Sequence, residues 1–191
     1  EGPVLIIPPN SFAAEEFRKL KAHIFNRLPN PPHLILVTSA TPQEGKTMVS
    51  VNLAIAISQE INKKAILIDG DLRNPGIHLG KRKNSTGLSN YLSDGTPLSE
   101  ILINSEIENL SIIEAGPSTS KSSELIGSKR MGELLKAVTE SGDNTYIIID
   151  SSPIILTAEP MLLSKMVDGV ILVVSPDRTP KEGISRAMKD L

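Results

Sequence analysis

Apolar residues in this chain fall into short unbroken runs, each followed by a turn cluster and then by a stretch of helical spacing. The runs predict strands at His33–Thr38, Ala65–Asp69, Asn109–Glu114, Tyr146–Asp150 and Gly169–Val174. Between them the spacing predicts helices at Lys46–Glu60, Leu88–Ile103, Ser122–Ser141, Ala158–Met166 and Lys181–Leu191. Strands that are apolar at every position need cover on both faces, and strands alternating with helices build a parallel sheet. The expected fold is therefore α/β, a doubly wound, mainly parallel sheet flanked by helices. Ahead of it, Pro3, Pro8 and Pro9 predict an extended arm or linker over residues 1–10, and residues 11–191 are expected to form one domain. Ser11 is placed to cap a helix from Phe12 to Leu28, which Pro29, Pro31 and Pro32 end. Phe12, Glu16, Leu20 and His23 fall at helical spacing, with Phe17, Ile24 and Phe25 nearby. Such a helix either packs on the domain or contacts another protein.

Composition narrows the function classes. A length of 191 residues suits one domain. Lys plus Arg total 20 against 22 Asp plus Glu, so a strongly basic nucleic-acid binder is excluded. Three Phe, two Tyr and no Trp leave little for a base-stacking surface. The absence of cysteine removes disulfide scaffolds, thiolate zinc sites and cysteine nucleophiles. No apolar run approaches the ~20 residues of a membrane helix. Neither a signal peptide nor Met opens the chain, so an excised soluble piece is expected. His23, His33 and His78 show no metal-ligand spacing, and Lys81-Arg82-Lys83 reads as a solvated loop or a phosphate contact.

Chemistry concentrates at strand ends. Ala40-Thr41-Pro42-Gln43-Glu44-Gly45-Lys46-Thr47 lies between a buried strand and a helix leaving at Met48, the context of a nucleotide phosphate loop. A turn wrapped around phosphate points backbone N–H groups inward, and the helix N-terminus adds partial positive charge. Gly45 permits close backbone approach, Lys46 is placed for the β- and γ-phosphates, and the Thr47 hydroxyl can ligate Mg²⁺. Next, Ile66-Leu67-Ile68-Asp69-Gly70-Asp71 sends two carboxylates off the end of a strand, where open α/β sheets place their ligands. Tyr146-Ile147-Ile148-Ile149-Asp150 delivers a third acid in the same way, suggesting a magnesium and acid/base set.

Together these motifs resemble the bacterial tyrosine kinases of polysaccharide synthesis and export, which share a phosphate-loop fold with the chromosome-partitioning and division-site ATPases. The family's Asp-x-Asp-x-Arg-x-Pro motif is matched in full by Asp69, Asp71, Arg73 and Pro75. The resemblance implies that Thr41 to Met48 bind the phosphates of ATP or ADP, and that Thr47, Asp71 and Asp150 hold Mg²⁺. It implies a catalytic set of Lys46, Asp69, Asp71 and Asp150, with Asp69 as base for the incoming hydroxyl. A further family motif, Glu-x-x-Arg-x-x-Arg, closes a ring of subunits; here Glu15, Arg18 and Lys21 stand in its places. Lys21 keeps the charge and loses the bidentate fork, and intrahelical pairing explains the spacing equally well.

The resemblance further implies autophosphorylation between copies and a membrane-anchored polysaccharide co-polymerase or activator as partner. It places the domain at the inner face of the bacterial membrane, with a further strand and a tyrosine-rich tail after Leu191. No nucleic-acid partner is expected. Gln43 stands where the family usually has Gly, making that part of the loop less permissive. The two tyrosines are Tyr91 and Tyr146, the latter opening a strand and expected in the core. Two other readings are a partitioning-type ATPase switch and a non-catalytic nucleotide-binding regulator. The switch proteins carry an extra Lys where this chain has Thr41.

Overall fold

Side chains alternate between the two faces of a strand, and in this chain both sets are apolar. The computed structural model describes residues 6–27, 30–77, 86–142, 144–176 and 178–191. Its elements run α1 (Phe12–Arg27), β1 (Leu34–Ser39), α2 (Lys46–Ser58), β2 (Lys64–Asp69), α3 (Leu88–Asp94), α4 (Leu98–Ile101), β3 (Leu102–Asn104), β4 (Leu110–Ile113), α5 (Ser122–Ile126), α6 (Lys129–Thr139), β5 (Thr145–Asp150), α7 (Glu159–Ser164), β6 (Gly169–Val173) and α8 (Lys181–Asp190). The strands form one sheet in the order β3-β4-β2-β5-β1-β6. All neighbours are parallel except β3 and β4.

Both β1 and β5 are buried at every position. Leu34, Leu36, Ile147 and Ile149 pack on one face with Leu88, Leu92, Ile126, Met131, Leu134 and Leu163, from α3, α5, α6 and α7. Ile35, Val37, Tyr146 and Ile148 pack on the other with Val51, Leu53 and Ile57 of α2. Phe17, Leu20, Ile24 and Phe25 bring α1 onto that second face, so the helix packs on the domain. Ser11 caps it as expected, its Oγ accepting the Ala14 N–H at 3.1 Å. Phe12 stays 80% exposed, so the buried stripe is the Phe17–Ile24 set and not the face containing Phe12.

Two expected helices are each divided. Leu88–Ile103 breaks at Gly95, which takes a left-handed φ of 86°, and restarts after Pro97. Its last residues leave the helix and form β3, an antiparallel edge strand that the apolar pattern did not separate from the helix. Ser122–Ser141 divides at Gly127 and Ser128 into α5 and α6. Residues 1–5 of the expected arm, Leu28, Pro29, His78 and Lys81-Arg82-Lys83 lie outside the described residues. Among the described residues no helix is long and apolar enough to cross a membrane.

Parallel pairing also sets the site. In register, Asp69 lies opposite Asp150, and Asp150 opposite Val37, so β1, β2 and β5 open at one edge. Gly70 follows immediately: its N–H donates to the Asp150 carbonyl at 2.8 Å. A Cβ there would come within 2.8 Å of that same oxygen. Gly70→Ala is therefore expected to force β2 from β5 and destabilise the fold by about 1–3 kcal/mol, measured by urea denaturation.

Candidate active site

The buried strand β1 runs into the loop that precedes α2. Gly45 takes a left-handed φ of 89° as N-cap, and no side chain caps the helix. No acidic residue lies in the first turn of α2 either. The first N–H groups of a helix have no intrahelical acceptor, and together with the helix dipole they favour an anion. This donor set fits phosphate. Gln43 also adopts a left-handed φ, of 63°, a conformation costing a non-glycine residue roughly 1–2 kcal/mol. The Thr41 N–H does not face an open cradle; it donates to Oε2 of Glu44 at 2.6 Å.

Beside the loop, Lys46 Nζ lies 3.3 Å from Asp71 Oδ2 and 3.5 Å from Asp150 Oδ2. The Thr47 hydroxyl donates to Asp150 Oδ2 at 2.7 Å. Ser50, one turn further along α2, donates to Asp150 Oδ1 at 3.0 Å. Ser50 was not singled out from sequence, although a serine three residues after Thr47 in an apolar helix was a readable signal. Burial pushes the Asp150 carboxyl above its ordinary range; Lys46 and the two hydroxyls oppose this without cancelling it.

Asp69 is held differently. Its Oδ1 accepts the Asp71 N–H at 3.1 Å, and its Oδ2 accepts the Gly76 and Ile77 N–H groups at 3.0 and 2.9 Å. The three expected acids thus do not share one cage: Asp71 and Asp150 flank Lys46, whereas Asp69 ties down the loop that carries Asp71. Among the described residues no group of three or more His, Asp or Glu side chains could hold a metal ion alone. Mg²⁺ does not require one, because it keeps waters and uses one or two carboxylates together with substrate phosphates. The Thr47, Asp71 and Asp150 oxygens fit that demand. Burial raises the Asp69 carboxyl to about 7, reinforced by the charge of Asp150 and opposed by the three N–H donors.

The rest of the Asp-x-Asp-x-Arg-x-Pro segment is anchored sideways. Arg73 Nε donates to Glu159 Oε1 at 2.9 Å, and its Nη2 reaches Ser123 Oγ at 3.3 Å. Burial works against the Glu159 charge, but the Ser122 hydroxyl and the Arg73 guanidinium prevail and hold it at about 2. Pro75 leads into Gly76, which lies beside Thr47 with room for a Cβ in ordinary van der Waals contact. Glu159 escaped the sequence reading because its partner is 86 residues away.

The expected oligomerisation residues are occupied within the chain. Arg18 Nε pairs with Glu15 Oε2 at 2.7 Å, and Lys21 pairs with Glu60 at the end of α2. Tyr146 is core, as expected: His33 stacks on it with centroids 4.4 Å apart, and Lys63 Nζ donates to its hydroxyl at 3.1 Å. Tyr91 packs against the core under Arg130. His23 Nδ1 meets the Lys19 carbonyl on the surface.

A family model, the AAA domain, matches residues 35–191. Tyrosine-protein kinase YwqD of Bacillus subtilis (strain 168) is 31% identical over 190 residues, spanning 98% of this chain and 79% of YwqD. The chain belongs to the bacterial tyrosine-kinase family. The kinase domain of Escherichia coli tyrosine kinase ETK matches with a TM-score of 0.86 at 28% identity, covering 99% of this chain and 76% of that one. The septum site-determining protein MinD of Pyrococcus horikoshii OT3, solved with Mg-ADP, has the same fold. Its TM-score is 0.65 at 23% identity, over 81% of this chain and 61% of MinD.

The buried acids of this kinase-family chain have a consequence for stability. Asp69, raised to about 7, holds a proton in the fold that an unfolded chain releases above pH ~4, and burial shifts Asp150 in the same direction. The folded state then binds more protons than the unfolded state, so stability falls as pH rises from about 4 through 7. For the nucleotide-free protein a loss of roughly 1–3 kcal/mol is expected between pH 5.5 and 8, read by urea denaturation. Asp69→Asn should flatten that slope; an unchanged slope would show that Asp69 does not titrate there.

Proposed function

We propose that this chain is an ATP-dependent protein-tyrosine kinase acting in exopolysaccharide or capsule synthesis and export. The observation that carries the reading is the meeting of Lys46, Thr47, Asp71 and Asp150 at the uncapped N-terminus of α2. Phosphoryl transfer asks a protein mainly for positioning and charge neutralisation. Loop N–H groups from Gln43 to Met48 and the Lys46 ammonium hold the terminal phosphates, while the Thr41 N–H is spent on Glu44 and Pro42 has none to give. Thr47, Asp71 and Asp150 hold Mg²⁺, which when bound supplies further positive charge to the phosphate oxygens.

Asp69 takes the role of base or orienting group for the tyrosine hydroxyl. With its carboxyl at about 7, it is far closer to a phenol of pKa ~10 than a free Asp of ~3.9 would be. Its Oδ1 carries one N–H bond, leaving acceptor capacity on that oxygen. Arg73 and Pro75 support this segment, Arg73 through Glu159.

The partners in this reading are a second copy of the chain, which presents the acceptor tyrosine, and a membrane-anchored co-polymerase or activator. The working place is the inner face of the bacterial membrane. Glu15, Arg18 and Lys21 would join copies by exchanging their internal partners for those of a neighbour.

Two substitutions test the reading. Lys46→Met is expected to lower ATP-dependent phosphotyrosine on an added acceptor peptide more than about a hundredfold, because the phosphates lose their ammonium. Labelled ATP, followed by phosphoamino-acid analysis and a thermal melt of the variant, reads this. Undiminished phosphotyrosine in Lys46→Met would sink the site assignment, and free phosphate without phosphotyrosine in the unmodified chain would point to an ATPase switch. Asp69→Asn is expected to keep Mg·ATP affinity within a few-fold while transfer drops about 10²-fold or more. Equal losses in binding and transfer would make Asp69 an anchor alone.

A further inference from the structure

An anion in a phosphate-binding loop repels the group that the loop has to hold. Glu44 is nevertheless a loop residue, directly before Gly45, and it is only 8% exposed. A buried carboxylate needs matching donors. They reach Glu44 from two directions. On the near side Oε2 accepts the Thr41 N–H at 2.6 Å, closing the start of the loop on itself. On the far side Oε1 accepts the Ser175 N–H at 3.3 Å and the hydroxyl of Thr179.

Ser175 and Thr179 follow β6, the edge strand next to β1, and so lie across from the acids that β2 and β5 deliver. Thr179 is 7% exposed, and its N–H donates to the Ser175 carbonyl at 3.0 Å. The preceding loop residue leans the same way. Gln43 holds its left-handed φ, while Arg178 Nη1 approaches its carbonyl oxygen at 3.4 Å and its Oε1 at 3.3 Å. One strained residue and one charged residue, adjacent in the loop, are thus both secured by the outlet of β6. A strained backbone persists only where its surroundings over-determine it.

We infer that Glu44 is a positioning residue whose carboxylate braces the phosphate loop against the turn carrying Ser175 and Thr179, and so sets nucleotide affinity. The inference rests on the nucleotide-binding reading above and deepens it. Glu44 touches no group placed in the transfer step. Without the brace only a fraction of molecules carries the loop ready for phosphate, and apparent affinity falls by that fraction while bound complexes react as before.

The test is calorimetric titration of Mg·ADP into Glu44→Ala, Thr179→Val and the double variant, alongside turnover at saturating ATP and amide exchange at Ser175. Thr179→Val is expected to bind about tenfold more weakly, the scale of one lost hydrogen bond to a charged group, and Glu44→Ala, which loses all three bonds, at least as weakly. Turnover at saturation should stay within about twofold in Thr179→Val, which lies outside the loop, so the change falls on KM and not on kcat. The double variant should bind no more weakly than Glu44→Ala, because both remove one linkage. The Ser175 amide should exchange faster in Glu44→Ala. Thr179→Val keeps the carboxylate and the local shape, so it answers even where Glu44→Ala does not fold. Unchanged affinity in the variants, with the unmodified chain binding Mg·ADP, overturns the brace alone. Lower kcat at unchanged Kd overturns it too, by putting Glu44 in the chemistry. An unmodified chain that does not bind Mg·ADP overturns the nucleotide reading and the brace with it.

Discussion

One ammonium group between two buried carboxylates organises this edge of the molecule. Parallel register compels β2 and β5 to end side by side, which brings Asp69 and Asp150 into mutual repulsion in a site stripped of water. Buried like charges of this kind survive only with a cation or a proton. Lys46, entering from the first turn of α2, is the cation for Asp150 and Asp71. Among the described residues Asp69 has no such partner; backbone N–H donors and a raised pKa take its place. The same arrangement that stores negative charge is suited to receive a divalent ion, since the metal relieves what the fold has concentrated.

The sheet order assigns work to each side of the phosphate loop. Toward the centre stand β5 and β2, the source of the acids; at the edge stands β6, the source of the turn that meets Glu44 and Gln43. The loop is thus held from the side away from the acids. Arg73 and Glu159 do for the Asp71 segment what Glu44 and Thr179 do for the loop: a buried carboxylate far along the chain fixes a segment that would otherwise rest on short-range contacts.

Much of this was readable in the sequence because the information is local. Unbroken apolar strands, a Gly-Lys-Thr turn and acids at strand ends each occupy a few consecutive residues, and the sheet gathers Lys46, Thr47, Asp71 and Asp150 where their spacing had put them. The misses share a physical reason. Leu88–Ile103 is expected as one helix; Gly95 and Pro97 carry the stop, and pairing with β4 turns the remainder into a strand. Glu159 and Thr179 act through partners 36 to 135 residues away, which no window of sequence displays. Asp69 sits where it was expected, yet its direction depends on the course of the backbone from Gly76 to Ile77.

Tyr146 bears on how such a catalyst coexists with its own composition. It is the second residue of β5, at the opposite end from Asp150, enclosed by Phe25, His33 and Lys63, with its oxygen engaged by the lysine. A fold whose chemistry targets phenols is here exempt at this phenol: reaching it would mean dismantling the packing that seats the first helix on the sheet. Self-modification at Tyr146 is barred by architecture, so the catalyst can be abundant in its own company without consuming its core.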